Sequence, residues 1–326
     1  MPHSNIKKRN NKHYKNNITR KNINSKKNKT RKSKYIRQTI FKKIPKAYRK
    51  MVGGDMIGQG NYGCVYRPDV KNKDNNIVSK IVLKHNIFNE YRHEYKILRK
   101  MSAIDPQGKF HNLLKDGFEL KDTVSPSDIE KCSLTKPQYD IKDFFVFNLV
   151  FSGENDLTFY MKNAFIKKHK REHVDALDSL PAILFTLLTN IIVGIHKMIE
   201  ANIVHKTLDP DSIFLTEPVN LTNTYCVKII DFGEGELRKY KDFNDKNQDY
   251  IYLFKSLIKL LYKISKLPHN KNYTKTITDL QNGFTELLNV VSVESVNYAE
   301  VTTKYIDLLD RTFGEKYSKY ARDHYL

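Results

Sequence analysis

Several short stretches of this 326-residue chain bring together residue types that could do chemistry. Gly58-Gln59-Gly60-Asn61-Tyr62-Gly63-Cys64-Val65 sets three glycines where backbone N–H groups could approach a phosphate with no Cβ in the way. The same spacing also serves dinucleotide-binding turns and plain hairpins. Ile77-Val78-Ser79-Lys80-Ile81-Val82 alternates like a strand, with Val78, Lys80 and Val82 on one face and Ser79 and Ile81 on the other. Glu90 and Glu94 follow one helical turn apart, so both present a carboxylate on one face. Val227–Ile230 reads as a buried strand that delivers Asp231, Phe232 and Gly233. Between them runs Val204-His205-Lys206-Thr207-Leu208-Asp209-Pro210-Asp211-Ser212. Its hydroxyls, Thr207 and Ser212, have no basic group near neutral pH, so a proton acceptor there would have to be a carboxylate.

In this order the segments resemble the signature set of eukaryotic-type protein kinases, over residues 51–326. The resemblance implies an α+β, bilobal fold, with a small β-rich lobe at 51–152 and a helical lobe at 153–326. It implies ATP beneath Gly58, Gly60 and Gly63, with Val65, Val78 and Phe214 lining the adenine site. Lys80 would bridge the α- and β-phosphates, held by Glu94 rather than Glu90, because Ile97-Leu98 completes an E-x-x-I-L pattern. Asp231 would coordinate Mg2+, Phe232 would pack between Leu98 and His205, and Asp249 would anchor the loop from below. The Lys/Asn/Ile/Tyr-rich composition also loosely resembles kinase-like proteins of large DNA viruses.

The departures from that signature carry as much information. Thr207 stands where the resemblance puts the catalytic Asp, and Ser212 where it puts the magnesium-binding Asn. Asp209 replaces a lysine that would contact the transferred phosphate, which reverses the local charge. Val78 and Phe214 add volume where the purine ring should slide. Only 18 positions separate Asp231 from Asp249, and that stretch has no A-P-E motif on which a peptide could dock. The expected function is a pseudokinase that acts through regulated or scaffold-like binding of a protein partner, with weak ATP binding and a doubtful Mg2+ site. The alternatives are an active Ser/Thr kinase with Asp209 as its base, and a nucleic-acid binder working through its basic tail.

That tail is residues 1–50, with 14 Lys, 5 Arg and no acid; the remainder holds 38 basic against 36 acidic residues. The net charge of +21 therefore lives almost wholly in a segment too poor in apolar residues to order itself. Cys64, Cys132 and Cys226 follow no metal-ligand spacing and are expected as free thiols of a reducing compartment. The start of the chain lacks an apolar signal core, and the run Leu180–Ile195 is shorter than a membrane span needs. An intracellular place is expected, cytoplasm or nucleus (of an infected cell, or a virion, on the viral resemblance), with no membrane. The elements that must position the site are a hairpin around Gly58–Gly63, the Lys80 strand, the Glu94 helix, a strand near 117–120 and a buried strand over Phe144–Phe151. Helices are expected over 157–169, 179–200, 249–266, 275–291 and 296–324, with Ser179 as a cap.

Six basic residues lie within Lys26–Lys34, a pattern that serves nuclear import, contact with nucleic-acid phosphates or only a soluble extension, and the phosphate contact is open to test. Titration of the full chain with duplex DNA should show affinity falling steeply with salt and little sequence preference. Unchanged binding after removal of residues 1–50 would dispose of this assignment.

Overall fold

The computed structural model describes residues 55–60, 63–84, 91–120, 131–134, 139–165, 180–216, 226–239, 243–268, 271–293 and 297–314. The chain divides into two units, 1–50 and 51–326, and the described residues all belong to the second. Glu90, Ser179 and the expected tail fall outside them.

Five antiparallel strands form the first sheet: β1 (Asp55–Gln59), β2 (Gly63–Arg67), β3 (Ile77–Leu83), β4 (Leu114–Glu119) and β5 (Phe144–Val150). They lie in the order β1-β2-β3-β5-β4. The alternation read in β3 sorts its side chains as expected. Val78 and Val82 join the large core, while Ile81 and Leu83 join a smaller cluster on the outer face with Cys64 and Tyr66. Ser79, on that outer side, bonds Asn148 Oδ1 at 2.6 Å and accepts Val70 N–H, so its hydroxyl is satisfied in the core. Helix α1 (Tyr91–Ile104) buries Glu94, Ile97, Leu98 and Met101, an i, i+3, i+4, i+7 stripe.

The second half is mostly helical: α2 (Leu157–Phe165), α3 (Leu180–Glu200), α4 (Gln248–Ser265), α5 (Thr274–Val291) and α6 (Tyr298–Phe313). Small strands thread between them: β6 (Asn155–Asp156), β7 (Ile203–Val204), β8 (Ile213–Thr216), β9 (Cys226–Ile229) and β10 (Glu236–Leu237). Asp156 accepts Phe159 N–H and so opens α2, as its position suggested. The last helix stops at Gly314, whose φ of 89° is outside the helical range. Gly283 lets α5 and α6 approach closely, since a Cβ there would lie 2.1 Å from Leu308.

Two expectations are corrected. Cys64 and Cys132 are not free thiols but form a disulfide with Cα atoms 5.9 Å apart; among the described residues Cys226 alone is free. The 131–134 turn comes back over β1 and β2, bringing together cysteines 68 positions apart. A loop of that length constrains the unfolded chain by about 4 kcal/mol in the entropic account. The apolar run Leu180–Ile195 is part of a continuous 21-residue helix, long and apolar enough to cross a membrane by composition. Its sides, however, bury Leu184, Ile191 and Ile195 in the protein core, and Leu187–Ile192 widens to a π turn. Buried phenols cap that packing: Tyr305 donates to Leu184 O and Tyr250 to Ile192 O, and burial pushes both hydroxyls up.

A compact turn braces the strand that carries Asp231. Phe110 O accepts Ile229 N–H, and His111 bridges Ile229 in parallel register. Buried Asp105 closes this turn by accepting His111 Nδ1 at 3.0 Å and the N–H groups of Lys109 and Phe110. Burial alone would raise its carboxyl, but those donors outweigh it and bring the pKa from 3.8 to about 2. The depressed carboxylate stabilises the fold above its unfolded pKa, and that contribution disappears as pH falls through about 2. Asp105→Asn should thus cost about 2 kcal/mol in urea melts at neutral pH, the gap closing on acidification. An equal gap at every pH would sink the assignment.

Candidate functional site

Lys80 lies in the middle of β3, paired across the sheet with Val65 on β2 and Phe147 on β5. Its ammonium reaches out of the sheet to two carboxylates, Glu94 Oε1 at 2.7 Å and Asp231 Oδ1 at 2.8 Å. One comes from α1 and the other from the end of β9, so a single cation joins three elements. Asp231 adopts a left-handed backbone (φ 64°, ψ 64°), and Phe232 beyond it turns into the core. Phe232 meets the His205 ring edge-on, centroids 4.8 Å apart, in the core that also holds Leu98. This is the packing that the resemblance implied.

The charges settle accordingly. Burial disfavours the Lys80 ammonium, but Asp231 and Glu94 outweigh it and hold its pKa above the ordinary value. Burial raises Glu94, against the opposing pull of Lys80. Lys80 lowers Asp231, against burial. Glu94 is the acid that fills the lysine-holding role.

The loop from β7 to β8 is held by backbone donors. Asp249 accepts His205 N–H at 2.8 Å and Lys206 N–H at 2.9 Å, so it anchors this loop rather than capping its own helix. His205 Nε2 lies 2.9 Å from Ile230 O, one residue before Asp231. Thr207, where the resemblance implies a catalytic Asp, is half-buried. Asp209, the candidate substitute, caps the turn Pro210–Ser212: its Oδ1 accepts Asp211 N–H, Ser212 N–H and the Ser212 hydroxyl, each at 3.1 Å. The Ser212 hydroxyl also lies 3.3 Å from Thr207 O, within the loop. Sequence reasoning read Asp209 as a displaced charge and missed this cap, although Asp-Pro-Asp-Ser carries the signal of a cap residue followed by proline.

The three loop glycines are not equivalent. A Cβ on Gly63 would lie 2.7 Å from Ile81 O, so the sheet itself demands glycine there. A Cβ on Gly60 would meet nothing within 4 Å, and one on Gly58 only Val65 Cβ at 4.0 Å. The fold leaves room at both, so packing does not demand glycine there, and a ligand could approach the backbone closely. With Lys80 opposite, these residues fit a phosphate group. They fit magnesium poorly: Asp231 is already neutralised by Lys80, and the Ser212 hydroxyl is engaged within its own loop. Among the described residues, no group of three or more His, Cys, Asp or Glu side chains is arranged to hold a metal. Val78 is buried in the core beside Leu149, its β5 partner, and Phe214 sits half-buried on β8, paired with Asp156 and Lys228.

The buried member of the triad can be tested by removing its partner. The Glu94 side chain is 3 % exposed, against 61 % for Asp231, so Lys80→Met strands Glu94 rather than Asp231. An acid whose pKa is raised in the fold destabilises it above the unfolded value, so this variant should lose about 3–5 kcal/mol at neutral pH. The loss should shrink as pH falls towards 4, and Lys80→Met with Glu94→Gln should recover most of it in thermal melts. A loss independent of pH would show that Glu94 is not the stranded group.

No family model matches the chain. No curated protein sequence matches it. Among solved structures, the BubR1 kinase domain is similar with a TM-score of 0.51 at 14 % identity, covering 94 % of this chain and 98 % of that one. The autoinhibited serine kinase domain of the giant muscle protein titin gives a TM-score of 0.46 at 12 % identity, over 82 % of this chain and 85 % of that one. At 14 % identity the likeness to the first concerns architecture, and with the sheet, the helical half and the Lys80 triad it identifies the fold as protein kinase-like.

Proposed function

We infer that the chain is a pseudokinase: a kinase-like fold that serves as a regulated binding module for a protein partner, with phosphotransfer largely lost. The observation that carries this reading is the bonding of Asp209. Asp209, the candidate substitute for the base, gives one oxygen to three hydrogen bonds that shape its own loop. A general base must reach the proton it removes, and a positioned base is worth about 10²–10⁴ in rate. Thr207 cannot supply that, and Ser212 is turned inward. What remains is a phosphate-binding half: Gly58, Gly60, Lys80 and Asp231, held in place by Glu94. ATP, when bound, supplies the phosphates with which Lys80 would pair. The bulk of Val78 and Phe214 argues for weak binding.

One observation favours the second reading, an active Ser/Thr kinase. Burial, aided by the neighbouring Asp211 carboxylate, raises the Asp209 pKa, the direction that suits a base. The basic segment 1–50 favours a separate contact to nucleic-acid backbones.

Two measurements separate these readings. ATP at 100 times its dissociation constant should stabilise the full chain by about 2.7 kcal/mol in thermal melts. That stabilisation should need high ATP and barely respond to magnesium. Peptide phosphorylation by the unmodified protein should stay far below the roughly 1–100 s⁻¹ of ordinary kinases. Thr207→Asp with Ser212→Asn should yield at most slow ATP hydrolysis or autophosphorylation. Robust peptide phosphorylation lost in both Lys80→Ala and Asp209→Asn would instead establish the active kinase.

A further inference from the structure

The Cys64–Cys132 disulfide enters the molecule at a sensitive place. Cys64 directly follows Gly63 in β2, and its side chain points to the outer face of the sheet while Val65 beside it packs towards the large core. Cys132 belongs to the 131–134 turn, which grips the same hairpin by further contacts. Gln59 of β1 exchanges two hydrogen bonds with Ser133: it accepts the Ser133 N–H at 3.2 Å and donates its amide to the Ser133 hydroxyl. Lys131 lies 3.6 Å from Asp55 at the start of β1, and the Cys132 backbone hydrogen-bonds the Tyr66 phenol. The Gln59–Ser133 and Lys131–Asp55 contacts are exposed, whereas both sulfurs are buried, at 0 % and 1 % exposure. Exposed contacts of this kind are individually weak. The covalent bond is therefore the strong part of the strap, and it cannot be reached until the turn lifts.

We propose that Cys64–Cys132 is a thiol–disulfide exchange site that sets the mobility of the Gly58–Gly63 hairpin. Oxidised, the turn holds β1 and β2 down on the outer face of the sheet. Reduced, only the exposed contacts and the packing of the small outer cluster retain it, and the hairpin moves more freely over Lys80. The reductant is a dithiol. Its thiolate attacks one cysteine sulfur, forming a mixed disulfide and releasing the other cysteine as a thiolate that takes up a proton. Its second thiol then releases the remaining cysteine. In sum two electrons and two protons pass to the protein, and the dithiol leaves as a disulfide. Because the sulfurs are covered, attack requires the turn to open first, so the state of the hairpin controls the rate of its own release. The regulatory meaning of this strap rests on the nucleotide-binding reading above; the strap itself does not.

The test uses the full chain purified without reductant. Alkylation after denaturation should label one thiol, Cys226, and after dithiothreitol all three. Three labelled thiols without reduction would overturn the proposal. Hydrogen exchange, followed by mass spectrometry, should then speed up by about tenfold or more across 55–67 and 131–134 on reduction, while α4 and α5 keep their protection. Unchanged exchange in the hairpin, or a loss of protection throughout, would also overturn it. Cys132→Ser should reproduce the reduced pattern without any reductant. An ATP-dependent thermal shift that differs between the oxidised and reduced proteins would link the strap to the nucleotide. If no shift occurs in either state while the exchange result holds, the nucleotide reading fails and the exchange site stands.

Discussion

Lys80 carries one positive charge to a point where a strand, a helix and the end of another strand must meet. Its two carboxylates cannot both be close unless α1 is docked on the sheet and β9 is fully extended into the cleft. At an effective dielectric near 20, each contact is worth on the order of 4 kcal/mol before desolvation is counted. Desolvation of three charged groups takes back much of that, so the triad adds little net stability. Its effect is on register. Any arrangement that separates the ammonium from Glu94 leaves a buried carboxylate with no cation, and this excludes alternative dockings of α1.

The loop below this triad is built by a different device. Asp249 and Asp209 each accept two backbone N–H groups, one from beneath the loop and one from within it. Together they determine the path from His205 to Ser212 without help from Thr207. The shape of this loop is thus held by carboxylates that accept its backbone N–H groups.

Much of this arrangement was legible in the sequence because it is written in local periods. The stripe Glu94, Ile97, Leu98, Met101 and the alternation around Lys80 each follow from one element's own geometry. The helix expected over 249–266 likewise agrees with α4 to within a residue. What stayed hidden depends on where distant segments meet. Nothing at Cys64 announces Cys132, since pairing is decided by the return path of the turn at 131–134. The expected helix over 179–200 matches α3 to within a residue, but its π turn over Leu187–Ile192 was not foreseen. Thr186 returns its hydroxyl to Ala182 O just before that turn. The cap made by Asp209 was missed for a third reason: a carboxylate in this loop invites a chemical role, although its own neighbours supply its partners.

The short segment after Asp231 is also tied down. Lys206 Nζ lies 2.6 Å from Glu236, Arg238 lies 2.9 Å from the other Glu236 oxygen, and Arg238 also pairs with Asp245. β10 pairs with β7, and His93 of α1 reaches Gly235 O at 2.9 Å. Kinase activation segments are commonly ordered by a phosphate added to a hydroxyl and gathered by arginines. Here the Glu236 carboxylate gathers Lys206 and Arg238, and the Lys206 hydrogen bond favours its ionised form. The described part of this segment is therefore ordered by charges of the chain itself. Its tightness answers instead to the solution: these pairs are a third exposed, so dissolved salt screens them directly and loosens the segment by degrees.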